Sequence, residues 1–363
     1  MSFPISHYSS GRDNNFNLLR FIAATLVLVS HSFPLAGGEG TAEPLASLVG
    51  MTLGGLSVDI FFVSSGFLVA GSFLSQQSVK SFAWARVLRI YPALFIAMLF
   101  CVFAVGLVFT DLSAGEYLAN KQIYKFLIEN SLLVGGIEYD LPGVFLNNPY
   151  PVAVNGSLWT LPVEVKMYIF LALIFSAVFF LERRFSLGIL KVALPIIVAI
   201  SFAIDVLAHF EFADIDGNRL FTLFFFGSAL YVWRDRVVLS FPIFIVAVLA
   251  VVLSGNSQSL FMVFYTLLLP YIVLFLAYVP GGIVRRFNEL GDYSYGVYIY
   301  AFPVQQSVAA AFPSISILGM TLISFVFTLI LAVLSWRFIE KRALKLKTKR
   351  AAPELRASRA VQA

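Results

Sequence analysis

The chain has 363 residues, of which 60% are hydrophobic and 12% charged, and its formal net charge is +5. Soluble domains carry roughly 25% charged residues, so this composition excludes a water-facing surface over most of the chain and leaves room for little besides membrane spans and short loops. Cys101 is the single cysteine, which excludes an internal disulfide framework, and His7, His31 and His209 lack the spacing of a metal site.

Residues 1–15 are polar and read as a flexible lead-in. The first apolar run covers about 16–35, followed by runs near 52–74, 90–110, 158–181, 192–208, 219–233, 238–254, 259–279, 293–312 and 317–337. The pattern predicts an all-α, polytopic membrane protein of about ten transmembrane helices. The membrane part takes residues 16–340, and a basic, disordered tail takes 341–363. Segment 126–136 is apolar but too short to span, and reads as re-entrant or interfacial. No internal repeat is visible, which weighs against a transporter built from inverted halves.

Charge follows the turns. One set holds Lys80, Arg86, Arg89, Arg183, Arg184, Lys191, Arg234, Arg236, Arg285 and Arg286, and the tail adds more. The opposite set is acidic, with Glu39, Glu43, Asp111, Glu116, Glu138, Asp140, Glu211, Asp214 and Asp216. Basic residues concentrate on the cytoplasmic side of membrane proteins, so both termini are expected to be cytoplasmic. Topology then accounts for the basic excess, and no nucleic-acid partner is expected.

Ionisable residues within spans are costly and mark function. Arg20 and His31 lie eleven residues apart, close to three helical turns, and share a face of the first helix. Arg20 reads as a snorkelling interfacial residue or a functional one. His31 reads as a packing histidine or one facing a pathway. Asp59 and Glu164 lie at similar depth in spans entered from outside, so both are candidates to converge with His31. Asp59 reads equally as a helix cap, and Glu164 as one half of an ion pair with Lys166. Arg86 and Arg89, at i and i+3, suit phosphate binding from the cytosol or simple topology control. The loop Asn147–Trp159 is an outward segment suited to recognising a sugar, with Trp159 equally an interfacial belt residue.

Five segments in order carry a resemblance: Asn15–Arg20 running on to His31; Ser57, Asp59 and Gly66–Leu68; Arg86, Arg89 and Pro92; Gly156, Trp159 and Glu164; and Leu290–Tyr298 followed by Phe302 and Pro303. Together they resemble the membrane-bound acyltransferase family 3, O-acyltransferases that modify surface polysaccharides and related glycans. The resemblance implies transfer of an acyl group, acetyl above all, from cytosolic acyl-CoA to a carbohydrate hydroxyl across a bacterial inner membrane. It implies His31 as base or transient acyl carrier, with Glu164 orienting or charge-balancing it. Arg20, Arg86 and Arg89 are implied as donor-binding residues, and Asp59 and Trp159 as acceptor-binding or structural ones. No permanently bound cofactor is expected; acyl-CoA is a co-substrate, and self-association stays open. Many members carry His where this chain has Ala301, so chemistry assigned to that position cannot operate here. A transporter or flippase of a glycan or lipid-linked intermediate is the alternative.

Overall fold

A computed structural model describes residues 2–9, 11, 13–76, 78–182, 188–210 and 216–347. Arg183, Arg184, Glu211, Asp214 and the tail from residue 348 onward lie outside the described residues.

The described chain is mainly helical. The principal helices are α1 (Phe16–Gly37), α2 (Leu53–Gln76), α3 (Val79–Phe109), α4 (Lys121–Leu132), α5 (Gly156–Leu181), α6 (Gly188–Phe210), α7 (Asp216–Val232), α8 (Phe241–Ser254), α9 (Gln258–Tyr278), α10 (Ser294–Ala311) and α11 (Ile317–Lys347). Each of the predicted spans falls on one of these helices. Seven are long and apolar enough to cross a membrane: α1, α2, α3, α5, α6, α9 and α11. The other three fall short for different reasons. Helix α7 has 17 residues and α8 has 14, against roughly 20 for a full crossing. Helix α10 is less apolar because it faces protein rather than lipid: nearly all of its residues are buried, Gln305 and Gln306 among them. Helix α4 overlaps the short apolar segment 126–136, starting earlier and ending before it, and its C-cap Leu133 is in the left-handed conformation.

The chain divides into two compact units. The first comprises residues 1–27, 43–77 and 163–292; the second comprises residues 28–42, 78–162 and 293–363.

In the first unit, α2 and α7 pack at their backbones. A Cβ on Gly66 would lie 1.8 Å from the Phe224 carbonyl oxygen, and one on Gly227 would lie 2.3 Å from that of Val63. Small residues permit this approach where lipid offers no hydrophobic drive to helix pairing. Ser228 Oγ adds a hydrogen bond to the Gly66 carbonyl at 3.0 Å. Phe16, Phe67, Leu230, Leu274, Phe275 and Tyr278 form the adjoining core.

The N-terminal stretch, expected to be flexible, is folded onto this unit instead. Phe3 and Pro4 pair antiparallel with Leu239 and Val238, and Ile5 is wholly buried in the same core. The Asn15 amide donates to the carbonyls of Leu276 and Pro280. A few apolar anchors and one amide outweigh the polar composition around them.

In the second unit, α10 and α11 meet at Gly296, where a Cβ would lie 2.7 Å from the Cα of Ala332. Helix α3 opens into a π-helical stretch at Phe100–Gly106. There the Tyr117 hydroxyl donates to the Val102 carbonyl at 3.0 Å and packs directly on Gly106. Helix α11 carries a second π stretch, Trp336–Glu340, and runs on to Lys347, so the first residues assigned to the tail are helical.

Candidate functional site

In the second unit the reactive candidate is His31, on the C-terminal half of α1. Its ring meets Phe302 of α10 edge to face, with centroids 5.2 Å apart. Phe302 is held in turn by Tyr150, at 6.1 Å, and by Gly156, where a Cβ would come within 2.7 Å of the ring. His31 Nδ1 is buried and has no hydrogen-bond partner among the described residues.

The outward loop is tied to the same face of α10 by amides. Gln306, fully buried, donates through Nε2 to the carbonyls of Tyr150 and Ala153 at 2.8 and 2.7 Å. Asn148 Nδ2 donates to Gln306 Oε1 at 2.7 Å. Gln305, one residue earlier and equally buried, donates through Nε2 to the Leu28 carbonyl and to Ser32 Oγ on α1. Trp159 closes the short 3-10 turn Gly156–Trp159 and is exposed. Ala301 is fully buried on α10.

The two arginines of α3 differ. Arg89 lies 3.4 Å from Glu340 and 5.6 Å from the Tyr295 ring centre. Glu340, 2% exposed, also accepts from Ser335 Oγ at 3.0 Å. Arg86 lies over the Phe82 ring at 5.8 Å.

In the first unit, Arg20 pairs with Asp292 at 3.4 Å and covers the Phe61 ring at 5.7 Å. Asp59 is fully buried, accepts from Tyr265 Oη at 2.8 Å and pairs with Arg219 at 3.3 Å. It sits seven residues into α2, past the first turn, and the start of that helix is held by the Glu43 carboxylate, which accepts from Leu53 N–H. Glu164 accepts from the hydroxyls of Ser65, at 3.1 Å, and Tyr168. Its contacts are hydroxyls of the unit interior, while Lys166 is exposed. Asp59 and Glu164 therefore take separate partners rather than sharing one site.

Several polar residues were not singled out from sequence. Arg219 pairs with the buried Asp59. Asp292 and Glu340 complete the pairs of Arg20 and Arg89. Asp205 accepts from the side chains of Asn218 and Thr222 at 2.5 and 2.6 Å. Gln305 and Gln306 carried a visible signal, two adjacent amides in the middle of an apolar run. Among the described residues, no three His, Cys, Asp or Glu side chains come together as a metal site.

The chain was compared with known proteins. Residues 13–337 match the acyltransferase domain of acyltransferase family 3. An O-acetyl transferase of Shigella phage Sf6 is 31% identical, with 92% of this chain and 96% of the relative covered. Nodulation protein 10 of Rhizobium leguminosarum bv. viciae is 28% identical over 95% of this chain and 97% of its own length. The O-acetyltransferase OatA of Staphylococcus aureus is 24% identical over 79% of this chain, which spans about half (52%) of that longer relative. No solved structure matches the chain. A match that covers nearly all of the helical region, with relatives aligned almost end to end, shows that the chain belongs to acyltransferase family 3.

Proposed function

We propose that this chain, an O-acyltransferase by family, moves an acetyl group from cytosolic acetyl-CoA to a carbohydrate hydroxyl on the far side of a bacterial inner membrane. The names of the relatives speak for O-acetyl transfer. The carbohydrate acceptor rests on the sequence resemblance. The basic turns favour a topology of ten spans with both termini in the cytoplasm, α7 and α10 crossing largely within the protein while the short α8 turns apolar side chains outward.

One observation carries the catalytic assignment: the ring of His31 stands against Phe302 with a buried, unpartnered nitrogen. A polar atom buried without a partner is costly, and such a cost is tolerated where a substrate supplies the missing hydrogen bond. His31 acts as general base on the acceptor hydroxyl or carries the acyl group transiently. Glu164 contributes as a second catalytic residue through its charge. Arg86, Arg89 and Arg20 attract the phosphates of the donor. Asp59 serves structure through Arg219 and Tyr265, and Trp159, exposed beside the outward loop, suits contact with the sugar.

The test is transfer of label from radioactive acetyl-CoA to sugar acceptors by the full chain purified in detergent micelles. His31→Ala is expected to abolish transfer while the protein keeps its elution profile and melting temperature. Full activity in that variant would end the assignment. Label that never leaves CoA in the wild type would favour the transporter reading.

A further inference from the structure

The second buried, unpartnered polar atom near His31 belongs to Gln305. Its amide orientation is fixed by chemistry, because the Leu28 carbonyl can only accept a hydrogen bond and so must face Nε2, at 2.8 Å. Ser32 Oγ takes the same nitrogen at 2.9 Å. The oxygen, Oε1, therefore points away from these two contacts, and it has no partner among the described residues although Gln305 is fully buried. Leu28 and Ser32 flank His31 on α1, three residues before it and one after. On α10, Phe302 stands three residues before Gln305, so the two share a face, and it is Phe302 that touches the His31 ring.

We propose that Gln305 Oε1 and His31 Nδ1 are the two poles of the acceptor subsite, and that together they select a sugar diol over a lone hydroxyl. This rests on the acyl-transfer reading. With the imidazole proton on Nε2, both poles are hydrogen-bond acceptors. A ligand that satisfies both must bring two O–H donors, as a pyranose ring with two free hydroxyls does. The hydroxyl on Nδ1 is the one acylated: its oxygen attacks the thioester carbonyl, its proton passes to Nδ1, the C–S bond breaks, and the CoA thiolate leaves and recovers that proton as the thiol. The hydroxyl on Gln305 is not consumed and holds the ring in register. Gln305 is thus a specificity-determining residue.

The experiment measures binding and transfer separately, with the full chain in detergent. The probes are methyl pyranosides of gluco, galacto and manno configuration and their monodeoxy counterparts, titrated without acetyl-CoA and then assayed with it. Wild type is expected to prefer at least one diol over its monodeoxy counterpart by about tenfold, the size of one well-placed hydrogen bond. Gln305→Met, close in shape and lacking the acceptor oxygen, is expected to erase that preference while the KM for acetyl-CoA stays unchanged. If Gln305→Met does not fold, Gln305→Asn, which withdraws the amide by one methylene, is expected to lose the preference instead. A wild type indifferent to the second hydroxyl, or a Gln305→Met or Gln305→Asn variant that keeps the wild-type preference, would overturn the proposal. Selective diol binding without label transfer would instead count against the acetyl-CoA reading and leave the assignment of Gln305 standing.

Discussion

Asn155 donates its side-chain amide to the Ile299 carbonyl at 2.9 Å. That carbonyl is the one Pro303 leaves without its helical donor, since proline lacks an N–H and sits four residues further along α10. Asn155 thus repairs α10 one turn from the position of Phe302 and ties the loop before α5 to it.

This arrangement predicts a coupling. Asn155→Ala should destabilise the protein by about 1–3 kcal/mol, because it strands a buried carbonyl. Pro303→Ala restores the N–H, so Asn155→Ala should cost clearly less in that background. Melting of the four proteins in detergent reads the cycle. Strictly additive shifts would mean the amide and the proline do not act on the same carbonyl.

Arg89 separates structure from donor binding. Removing it takes the guanidinium from a Glu340 carboxylate that is 2% exposed and also accepts from Ser335. Breaking such a buried pair costs about 3–5 kcal/mol, so Arg89→Ala should melt earlier. Arg89→Ala combined with Glu340→Gln should recover much of that stability. If Arg89 also meets the donor phosphates, the double variant keeps a raised KM for acetyl-CoA. A wild-type KM in the stabilised double variant would assign Arg89 to structure alone.

Gly66 tests the close contact of α2 and α7. A Cβ 1.8 Å from a backbone oxygen cannot be relieved by a side-chain rotation, so the helices must separate. Gly66→Ala should lower stability by about 3 kcal/mol, at the upper end of the overpacking range. Gly115→Ala is the control: its added methyl meets nothing within 4 Å, and alanine in an exposed helix gains about 0.5–1 kcal/mol over glycine. Opposite signs of the two melting shifts are expected. Equal shifts would show that the contact at Gly66 is not close in solution.

How much of this was legible in the sequence depended on distance along the chain. Apolar runs placed every principal helix, because burial in lipid or protein demands the same residues over the same length. Arg20, His31, Asp59 and Glu164 stood out because a lone ionisable group in an apolar run is visible without any partner. Their partners were not, since Asp292, Arg219 and Ser65 lie far along the chain and become neighbours only by packing. The span count blurred for a related reason. Hydropathy reports exposure to lipid, and α10, enclosed by protein, is free to carry two glutamines. The lead-in of residues 2–9 was misread because a few anchors, Ile5 above all, carry its burial, and a composition window averages them away.

Glu164 offers the sharpest separation of charge from packing. Its carboxylate accepts from two hydroxyls, those of Ser65 and Tyr168. A glutamine oxygen accepts the same two bonds, so Glu164→Gln should fold and melt as wild type. What the variant lacks is the negative charge. If that charge serves the reaction, kcat should fall by about a hundredfold, within the range of acid–base and charge contributions in enzymes, with the KM for acetyl-CoA unchanged. Glu164→Ala removes both hydrogen-bond acceptor and charge, and should lower melting as well as kcat. Wild-type turnover in Glu164→Gln, with loss only in Glu164→Ala, would make the residue a hydrogen-bond bridge between α5 and α2 and leave the chemistry to His31.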